Sequence, residues 1–194
     1  MNFDFSDDQK ALKDQARKFL ADKSASRAVR AVLDDASISY DKQLWRGVAE
    51  LGWLGAAIPE AHGGLGLGRL ELCVLAEEIG RAVAPIPFSS TVYFFAEALM
   101  LAGNDAQKAA RLPAIAAGET VGCFALSEGP GAPTAASIEA RFDGETLNGT
   151  KIPVTDGDCA DWAVVAAKEG GGVSLVLVDL NQAGVKRETL KTLD

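Results

Sequence analysis

The hydrophobic pattern of the chain changes near Gly118, and this change limits the folds that the chain can adopt. Before it, apolar residues recur about every three to four positions, which is the spacing of one face of a helix. After it, short β-branched segments are separated by Gly, Asn and Asp at roughly the 8 to 12 residue spacing of antiparallel sheets. The sequence therefore predicts an α+β fold, with an N-terminal all-α helical bundle over residues 1–118 and an antiparallel β-barrel or sandwich domain over residues 119–194.

The first part is predicted to contain roughly five or six helices. Ser6 and Gln9 have the spacing of a capping box, which starts the first helix. A second helix ends at Gly52, where a left-handed C-terminal cap is expected. Residues 24–39 have weak periodicity and are predicted to be irregular. The segment Leu70–Ala84 is apolar on nearly every side, so it is predicted to be the central helix of the bundle.

The second part is predicted to form strands joined by tight turns. Asp143-Gly144 and Gly170-Gly171-Gly172 fit the turns of β-hairpins. The segments predicted as strands are Thr120–Leu126, Ser137–Phe142, Thr146–Lys151, Trp162–Ala167 and Val173–Asp179.

The composition excludes several classes of function. A formal charge of -8 is unsuited to neutralising phosphates, so no nucleic-acid partner is expected. No apolar run reaches the length of about 18 residues that a membrane span needs, and a cytoplasmic location is expected. Cys73, Cys123 and Cys159 form no CxxC pair and His62 is the single histidine, which argues against a metal site or a disulfide framework. Cys123 and Cys159 are predicted to be buried, inert thiols.

Short motifs follow one another along the chain in a fixed order. The β part contains Phe124–Glu128, a Gly/Pro-rich bend and Leu147–Gly157. The helical part contains Ser6–Gln9, Leu51–Gly55, Ile58–Glu60, His62–Gly66, Ala76–Arg81, Gln107-Lys108, Leu112-Pro113 and Gly118-Glu119. Together these motifs resemble the acyl-CoA dehydrogenase family. The run Arg81–Pro87 looks most like the bacterial branch that handles bulky or steroid-derived CoA thioesters, in which unlike subunits sometimes pair.

The resemblance implies an FAD-dependent oxidoreductase that oxidises the α,β carbon bond of an acyl-CoA in fatty acid or steroid side-chain degradation. In this family a glutamate removes the α proton while the β hydrogen leaves as a hydride to the flavin. The resemblance also implies an electron-transfer flavoprotein as acceptor and a homo- or hetero-oligomer.

The resemblance further implies that the chain belongs to a longer protein. The family's catalytic glutamate lies in a C-terminal helical domain that no motif of this chain matches, so no catalytic residue is assigned here. An end at Asp194 would leave an exposed sheet edge, which natural proteins usually cover. We therefore expect the β-domain to be incomplete here and the gene to continue for about another 150 to 200 residues.

By resemblance, one set of cofactor-binding residues follows the first strand. Phe124, Leu126 and Ser127 would line the flavin ring, with the Ser127 hydroxyl at its carbonyl edge. Ala132 and Pro133 would lie at the FAD pyrophosphate, and Pro133 would also contact the acyl-CoA.

A second set, Pro153, Val154 and Thr155, would lie on the far face of the ring, with the Thr155 hydroxyl near N5. Two residues depart from the family pattern. Pro133 replaces a serine and lacks a hydroxyl and a backbone N–H, so two phosphate donors are lost. Pro153 replaces a tryptophan and removes apolar area that covers the ring.

Two alternatives to the enzyme therefore stay open. One is a non-catalytic partner subunit of a heteromeric dehydrogenase with a degenerate flavin site, which Pro133, Thr134 and Pro153 favour. Ser127 and Thr155 favour the enzyme instead. The other is a stand-alone binding module for acyl chains, which applies if the gene ends with this sequence.

Other motifs are interpreted as structural. The Gly-rich segment Pro59–Gly68 is predicted to be a bend between helices, because no strand precedes it and no Gly-Lys-Ser follows it. Glu77 is predicted to form a helical ion pair with Arg81, four residues on. Ser127-Glu128 could begin a loop with Glu128 solvated, but by resemblance the later match at Lys151–Gly157 favours a location beside a flavin site.

Overall fold

The computed structural model describes residues 4–190 and contains two compact units. The first unit consists of the chain through Pro87 together with Lys108–Glu119. The second consists of Phe88–Gln107 together with the chain from Thr120 onward. The helical segment Phe88–Gln107 thus belongs to the unit that holds the sheet, and the domain boundary expected from the sequence stays a prediction.

Helices precede the sheet along the chain, as the sequence predicts. The α-helices of residues 4–190 are α1 Asp7–Lys23, α2 Ser26–Leu33, α3 Lys42–Glu50, α4 Arg69–Arg81, α5 Glu97–Ala102 and α6 Asp105–Ala116. Short 3-10 turns occupy Trp53–Gly55 and Glu60–His62, and a π-helix at Ser89–Ala96 continues directly into α5.

Helix α1 begins with the predicted capping box. The Ser6 hydroxyl accepts a hydrogen bond from the Gln9 N–H at 3.2 Å, and the Gln9 side chain accepts one from the Ser6 N–H at 3.0 Å. These bonds satisfy two donors that a helix start otherwise leaves unpaired. Ala16 and Leu20 are fully buried, so α1 presents one apolar face to the core of the first unit.

Helix α4 has a buried face and an exposed face. Leu72, Val74 and Leu75 are buried, whereas Leu70 is 52% exposed. The prediction of a helix enclosed on nearly every side is therefore wrong at Leu70. The buried face is also not purely apolar, because it contains the carboxylate of Glu78.

Helix α2 lies in the segment 24–39 that the sequence predicts to be irregular, and that prediction is wrong over Ser26–Leu33. Its apolar residues Ala28, Val29, Val32 and Leu33 form two i, i+4 pairs, which place them on one side of a helix. The segment is only two turns long and buries no residue fully, so its periodicity is easily overlooked.

The sheet contains strands close to the predicted segments. They are β1 Gly122–Ala125, β2 Arg141–Phe142, β3 Leu147–Asn148, β4 Trp162–Glu169 and β5 Gly172–Asp179. Strand β4 is central, with β5 antiparallel along one edge and with β1 and β2 on the other edge. Strands β2 and β3 form an antiparallel pair.

The prediction of a purely antiparallel sheet is wrong in one respect, because the sheet is mixed. Strand β1 pairs with β4 in parallel, with Gly122 opposite Trp162, and β2 meets β4 in parallel at Arg141 and Lys168. A tight turn fixes the relative direction of only the two strands that it joins, as in the antiparallel β4–β5 hairpin. The long connection from β1 to β4 permits a parallel crossover that local turn chemistry does not reveal.

The π-helix packs on β1 within the second unit. The Thr91 hydroxyl accepts a hydrogen bond from the Gly122 N–H and donates one to the Gly122 carbonyl, each at 3.2 Å. A Cβ atom at Gly122 would overlap the ring of Phe95. Glycine is therefore required at the start of β1 by close packing.

None of the helices within residues 4–190 is long and apolar enough to cross a membrane.

Candidate functional site

The segment after β1 and the segment 151–155 lie side by side, which brings two sets of predicted site residues together. The Ile152 N–H donates a hydrogen bond to the Ser127 carbonyl at 2.8 Å. Glu128 and Ile152 also form an isolated parallel bridge. Because the Ser127 carbonyl is bonded to the Ile152 N–H, Ser127 is close in space to the segment that carries Pro153, Val154 and Thr155.

An ion pair between Glu128 and Lys151 holds this junction. The Lys151 Nζ atom lies 2.6 Å from Glu128 Oε1, and the two side chains are only 8% and 13% exposed respectively. Lys151 also donates to the Leu126 carbonyl at 3.1 Å. The alternative of a solvated Glu128 is therefore excluded, because the Glu128 side chain is only 13% exposed beside Lys151.

Glu128 makes further hydrogen bonds that close the bend after it. Its two carboxylate oxygens accept from the N–H groups of Glu139 at 2.6 Å and Ala140 at 3.0 Å. Burial opposes ionisation of Glu128, but the bonds from Lys151 and from these two N–H groups outweigh it and lower the pKa of the carboxyl. Glu128 is therefore an ionised anchor for both ends of the bend.

The predicted residues differ in exposure. Ala132 and Pro133 are exposed in the bend that Glu128 closes, and Pro153 and Thr155 are exposed at the edge of the other segment. The half-buried residues are Phe124, Leu126, Ser127 and Val154. Apolar side chains and the hydroxyl groups of Ser127 and Thr155 therefore lie on two segments that are adjacent in the fold. This combination suits a planar, partly polar ligand.

Asp156 and Ser90 form a polar pair directly after Thr155, and sequence reasoning missed it. The Ser90 hydroxyl, which is 1% exposed, donates to Asp156 Oδ2 at 2.5 Å. The Asp156 backbone has a φ of 56°, and its carbonyl accepts from the N–H groups of Cys159 and Ala160. The adjacent Asp156-Gly157 pair is a turn signal, but nothing in the sequence connects it with Ser90, which lies in a distant helix.

Burial explains the state of two cysteines near this pair. Cys123 is fully buried, and Cys159 is half-buried. Burial, with a smaller contribution from the charge of Asp156, raises the pKa of each thiol to about 12. Both thiols are therefore protonated near neutral pH, in agreement with the predicted inert role. No group of three or more metal-ligating side chains occurs among residues 4–190.

The Gly-rich segment is a bend, as predicted. The N–H groups of Leu65, Gly66 and Leu67 donate to the carbonyls of Gly55, Ile58 and Ala56, at 2.9, 2.9 and 2.7 Å. Its N–H groups are therefore used within the fold and do not form a phosphate-binding loop.

The predicted ion pair between Glu77 and Arg81 is wrong. Lys13 Nζ lies 2.7 Å from Glu77, and Arg81 Nε lies 2.7 Å from Glu78 instead. Glu78 points into the core of the unit, where Arg17 of α1 also reaches it, and the helical spacing alone does not reveal this tertiary arrangement.

A cleft of about 780 Å³ lies at the turns of the sheet, and none of the predicted site residues lines it. Arg141 and Lys168 line it together with the acidic Asp143 and Glu169. Its charges are balanced, so it has no evident preference for an anion or a cation.

Two family models match the chain. The family model described as "Acyl-CoA dehydrogenase, N-terminal domain" matches residues 6–119, and the model described as "Acyl-CoA dehydrogenase, middle domain" matches residues 123–193. The chain belongs to the acyl-CoA dehydrogenase family.

Known members of the family extend the comparison. The mitochondrial isovaleryl-CoA dehydrogenase of Arabidopsis thaliana is 34% identical in an alignment of 170 positions that covers 84% of this chain and 41% of that protein. A variant of the Tcur3481-Tcur3483 steroid ACAD has a TM-score of 0.80 at 36% identity, over 91% of this chain and 49% of that chain. A glutaryl-CoA dehydrogenase from Mycobacterium smegmatis in complex with FADH2 has a TM-score of 0.81 at 26% identity, over 97% and 50%. The chain therefore spans about half, or less, of the length of these relatives.

Proposed function

We propose that this protein is an FAD-dependent acyl-CoA dehydrogenase that forms an α,β double bond in a CoA thioester. The observation that carries this proposal is the junction at Ser127 and Ile152, which brings the strand end and the segment 151–155 together. Membership of the family and the likeness to a relative solved with FADH2 support it. Bound FAD would supply the acceptor for the hydride that leaves the substrate.

The residues at this junction fit a flavin ring. Phe124 and Leu126 supply half-buried apolar surface, and the Ser127 hydroxyl supplies a donor for the carbonyl edge of the ring. Val154 and the exposed hydroxyl of Thr155 supply the far face. Fixed donors of this kind stabilise charge without adding a competing base.

The pyrophosphate position fits less well. The exposed residues Ala132 and Pro133 would bind the pyrophosphate, and Pro133 would also contact the acyl-CoA. Pro133 offers neither an N–H nor a hydroxyl, so this part of the site has fewer donors than the family pattern.

The proposal extends to the substrate, partners and location of the protein. We propose a bulky acyl-CoA as substrate, supported by the likeness to a steroid ACAD. An electron-transfer flavoprotein would accept the electrons, and the protein would act in the cytoplasm as a homo- or hetero-oligomer.

The test is a visible absorption spectrum of the protein from its full-length gene, purified without added cofactor and then titrated with FAD. Bands at about 370 and 450 nm are expected for bound oxidised flavin. A protein that stays colourless and shows no FAD binding would contradict the proposal.

A paired substitution tests the two departures from the family pattern. The double variant P133S/P153W restores a phosphate donor and an aromatic cover, so its FAD dissociation constant should fall by about a hundredfold, on the basis of about 1 to 3 kcal/mol for each contact. The matched control is P130S, which changes another exposed proline of the same bend. Equal FAD affinities of the double variant and P130S would show that these positions do not contact the cofactor.

A second function has specific support from Pro133 and Pro153. Pro133 lacks the phosphate donors of the family's serine, and Pro153 lacks the aromatic ring that covers the flavin. Both departures favour a non-catalytic partner subunit that supplies packing surface to a heteromeric dehydrogenase. In that case the purified chain would not bind FAD, and a companion chain would be needed for activity.

A further inference from the structure

The ion pair of Glu128 and Lys151 connects three separate stretches of backbone. Lys151 bonds to Glu128 and to the Leu126 carbonyl, which follow the end of β1. Glu128 bonds to the N–H groups of Glu139 and Ala140 at the far end of the bend. One pair of side chains therefore holds the strand end, the bend and the start of the segment 151–155.

Because the ion pair is largely buried, its two side chains must keep well-defined positions. Two charged side chains that are 8% and 13% exposed have lost most of their hydration, which is tolerable only when each has well-placed partners. The partners are present, because Glu128 has three donors and Lys151 has two acceptors. A displacement of either segment would break several of these bonds together, so the pair holds the segments at one separation.

We propose that Glu128 and Lys151 are positioning residues that set the separation between the strand end at Leu126–Ser127 and the segment Pro153–Thr155. This inference rests on the proposed function, because the two segments are the ones assigned to the flavin ring. Neither Glu128 nor Lys151 contacts the ring in this proposal. They act through the backbone that carries Ser127 and Thr155.

The Ile152 N–H reports the separation directly, without any cofactor. It donates to the Ser127 carbonyl at 2.8 Å and lies next to Lys151. Loss of the ion pair should let this bond open, and its hydrogen exchange should then become faster. A side chain that contributes only general stability would change the exchange of the whole unit and would not single out this amide.

The experiment compares K151M and the double variant E128Q/K151M with the control K168M in the full-length protein. The double variant removes both charges, so no uncompensated buried charge is left to unfold the protein. Lys168 is a half-buried lysine of β4 whose side chain donates a 3.5 Å hydrogen bond to the Ala136 carbonyl and is not part of the ion pair. Hydrogen exchange at Ile152 and the FAD dissociation constant are measured for each variant, with thermal melting as a record of overall stability.

We expect K151M and E128Q/K151M to speed exchange at Ile152 by at least about tenfold and to weaken FAD binding by at least about tenfold, with K168M unchanged in both. The conservative variant K151R should recover part of both effects. Unchanged exchange at Ile152 would overturn the positioning role. Faster exchange with unchanged FAD affinity would overturn its link to the flavin.

The same experiment separates this inference from the proposed function. If the unsubstituted protein binds no FAD, the proposed function fails and so does the link to the flavin. The exchange of Ile152 still decides whether the pair holds the two segments together.

Discussion

At the scale of single residues, Asp156 is a carboxylate whose surroundings oppose its charge. Burial raises its pKa, and the nearby Asp158 adds to this, while the hydrogen bond from Ser90 acts in the opposite direction. The folded protein therefore binds a proton at Asp156 more tightly than the unfolded chain. Its unfavourable contribution to stability is absent at low pH and develops as the pH rises through the raised pKa.

Substitution of Asp156 by asparagine should stabilise the protein at neutral pH. D156N removes the half-buried charge, keeps an oxygen that can accept from Ser90, and suits the φ of 56° because asparagine tolerates this region. We expect a gain on the order of 1 kcal/mol at pH 7 and a smaller difference below about pH 4. Urea unfolding across this pH range measures it.

The control for D156N is E145Q, which removes an exposed carboxylate of the same unit. Its effect should stay within about 0.5 kcal/mol. Lower stability of D156N than of the unsubstituted protein at pH 7 would contradict the interpretation of Asp156.

At the scale of elements, Glu78 joins helices α1 and α4. It is fully buried, and Arg17 donates to its two oxygens at 2.7 and 3.2 Å while Arg81 donates at 2.7 Å. The hydrogen bond from Arg17, with the help of Arg81 and against the effect of burial, lowers the pKa of Glu78 to about 2. The contact between the helices thus depends on an ionised carboxylate.

Substitution of this carboxylate should weaken the contact between α1 and α4. E78Q turns one of the two accepting oxygens into an NH2 group, which cannot accept from the arginine that faces it, so we expect a loss of roughly 1 to 3 kcal/mol of unfolding free energy. E77Q on the same helix is the control, because the Glu77 side chain is 55% exposed and its pair with Lys13 should contribute less than about 1 kcal/mol. Equal urea midpoints for the two variants would show that Glu78 is not a stabilising contact.

A glycine substitution tests the packing of the π-helix on β1. G122A introduces a methyl group against the Phe95 ring, so it should destabilise the protein by about 1 to 3 kcal/mol. G80A is the opposite case, because a methyl group there meets nothing within 4 Å in helix α4 and should stabilise by about 0.5 to 1 kcal/mol. Thermal unfolding in parallel measures both, and a G122A protein as stable as G80A would refute the close contact.

At the scale of the whole molecule, acidic groups with lowered pKa values occur in both compact units. Glu78 belongs to the first unit and Glu128 to the second. A carboxyl whose pKa is lower in the folded protein contributes stability above its unfolded pKa and loses that contribution as the pH falls through the folded pKa. For Glu78 this interval runs from 4.5 to about 2.

The stability of the protein should therefore fall as the solution is made acidic. We expect the unfolding free energy to decrease steadily between pH 5 and about pH 2, and E78Q to show a weaker dependence because it no longer titrates there. Urea unfolding at several pH values, followed by tryptophan fluorescence, measures the profile. A profile of E78Q parallel to that of the unsubstituted protein would rule out Glu78 as a source of the acid dependence.

Local chemistry in the sequence determined much of the architecture. The Ser6 and Gln9 capping box, the cap at Gly52 and the β4–β5 hairpin depend on residues that are close along the chain, so their spacing predicts them. The ordered motifs also identified the family. For the same reason α2 was recoverable in principle from its two i, i+4 pairs.

Only the tertiary structure decided which distant groups meet. The parallel pairing of β1 with β4, the burial of Glu78 beside Arg17 and the pairing of Glu128 with Lys151 join residues far apart in sequence. Sequence spacing constrains neighbours within about one turn of helix or one hairpin. Contacts between residues farther apart in sequence depend on the path of the chain and on which charged groups it buries. Only the packed structure determines these contacts.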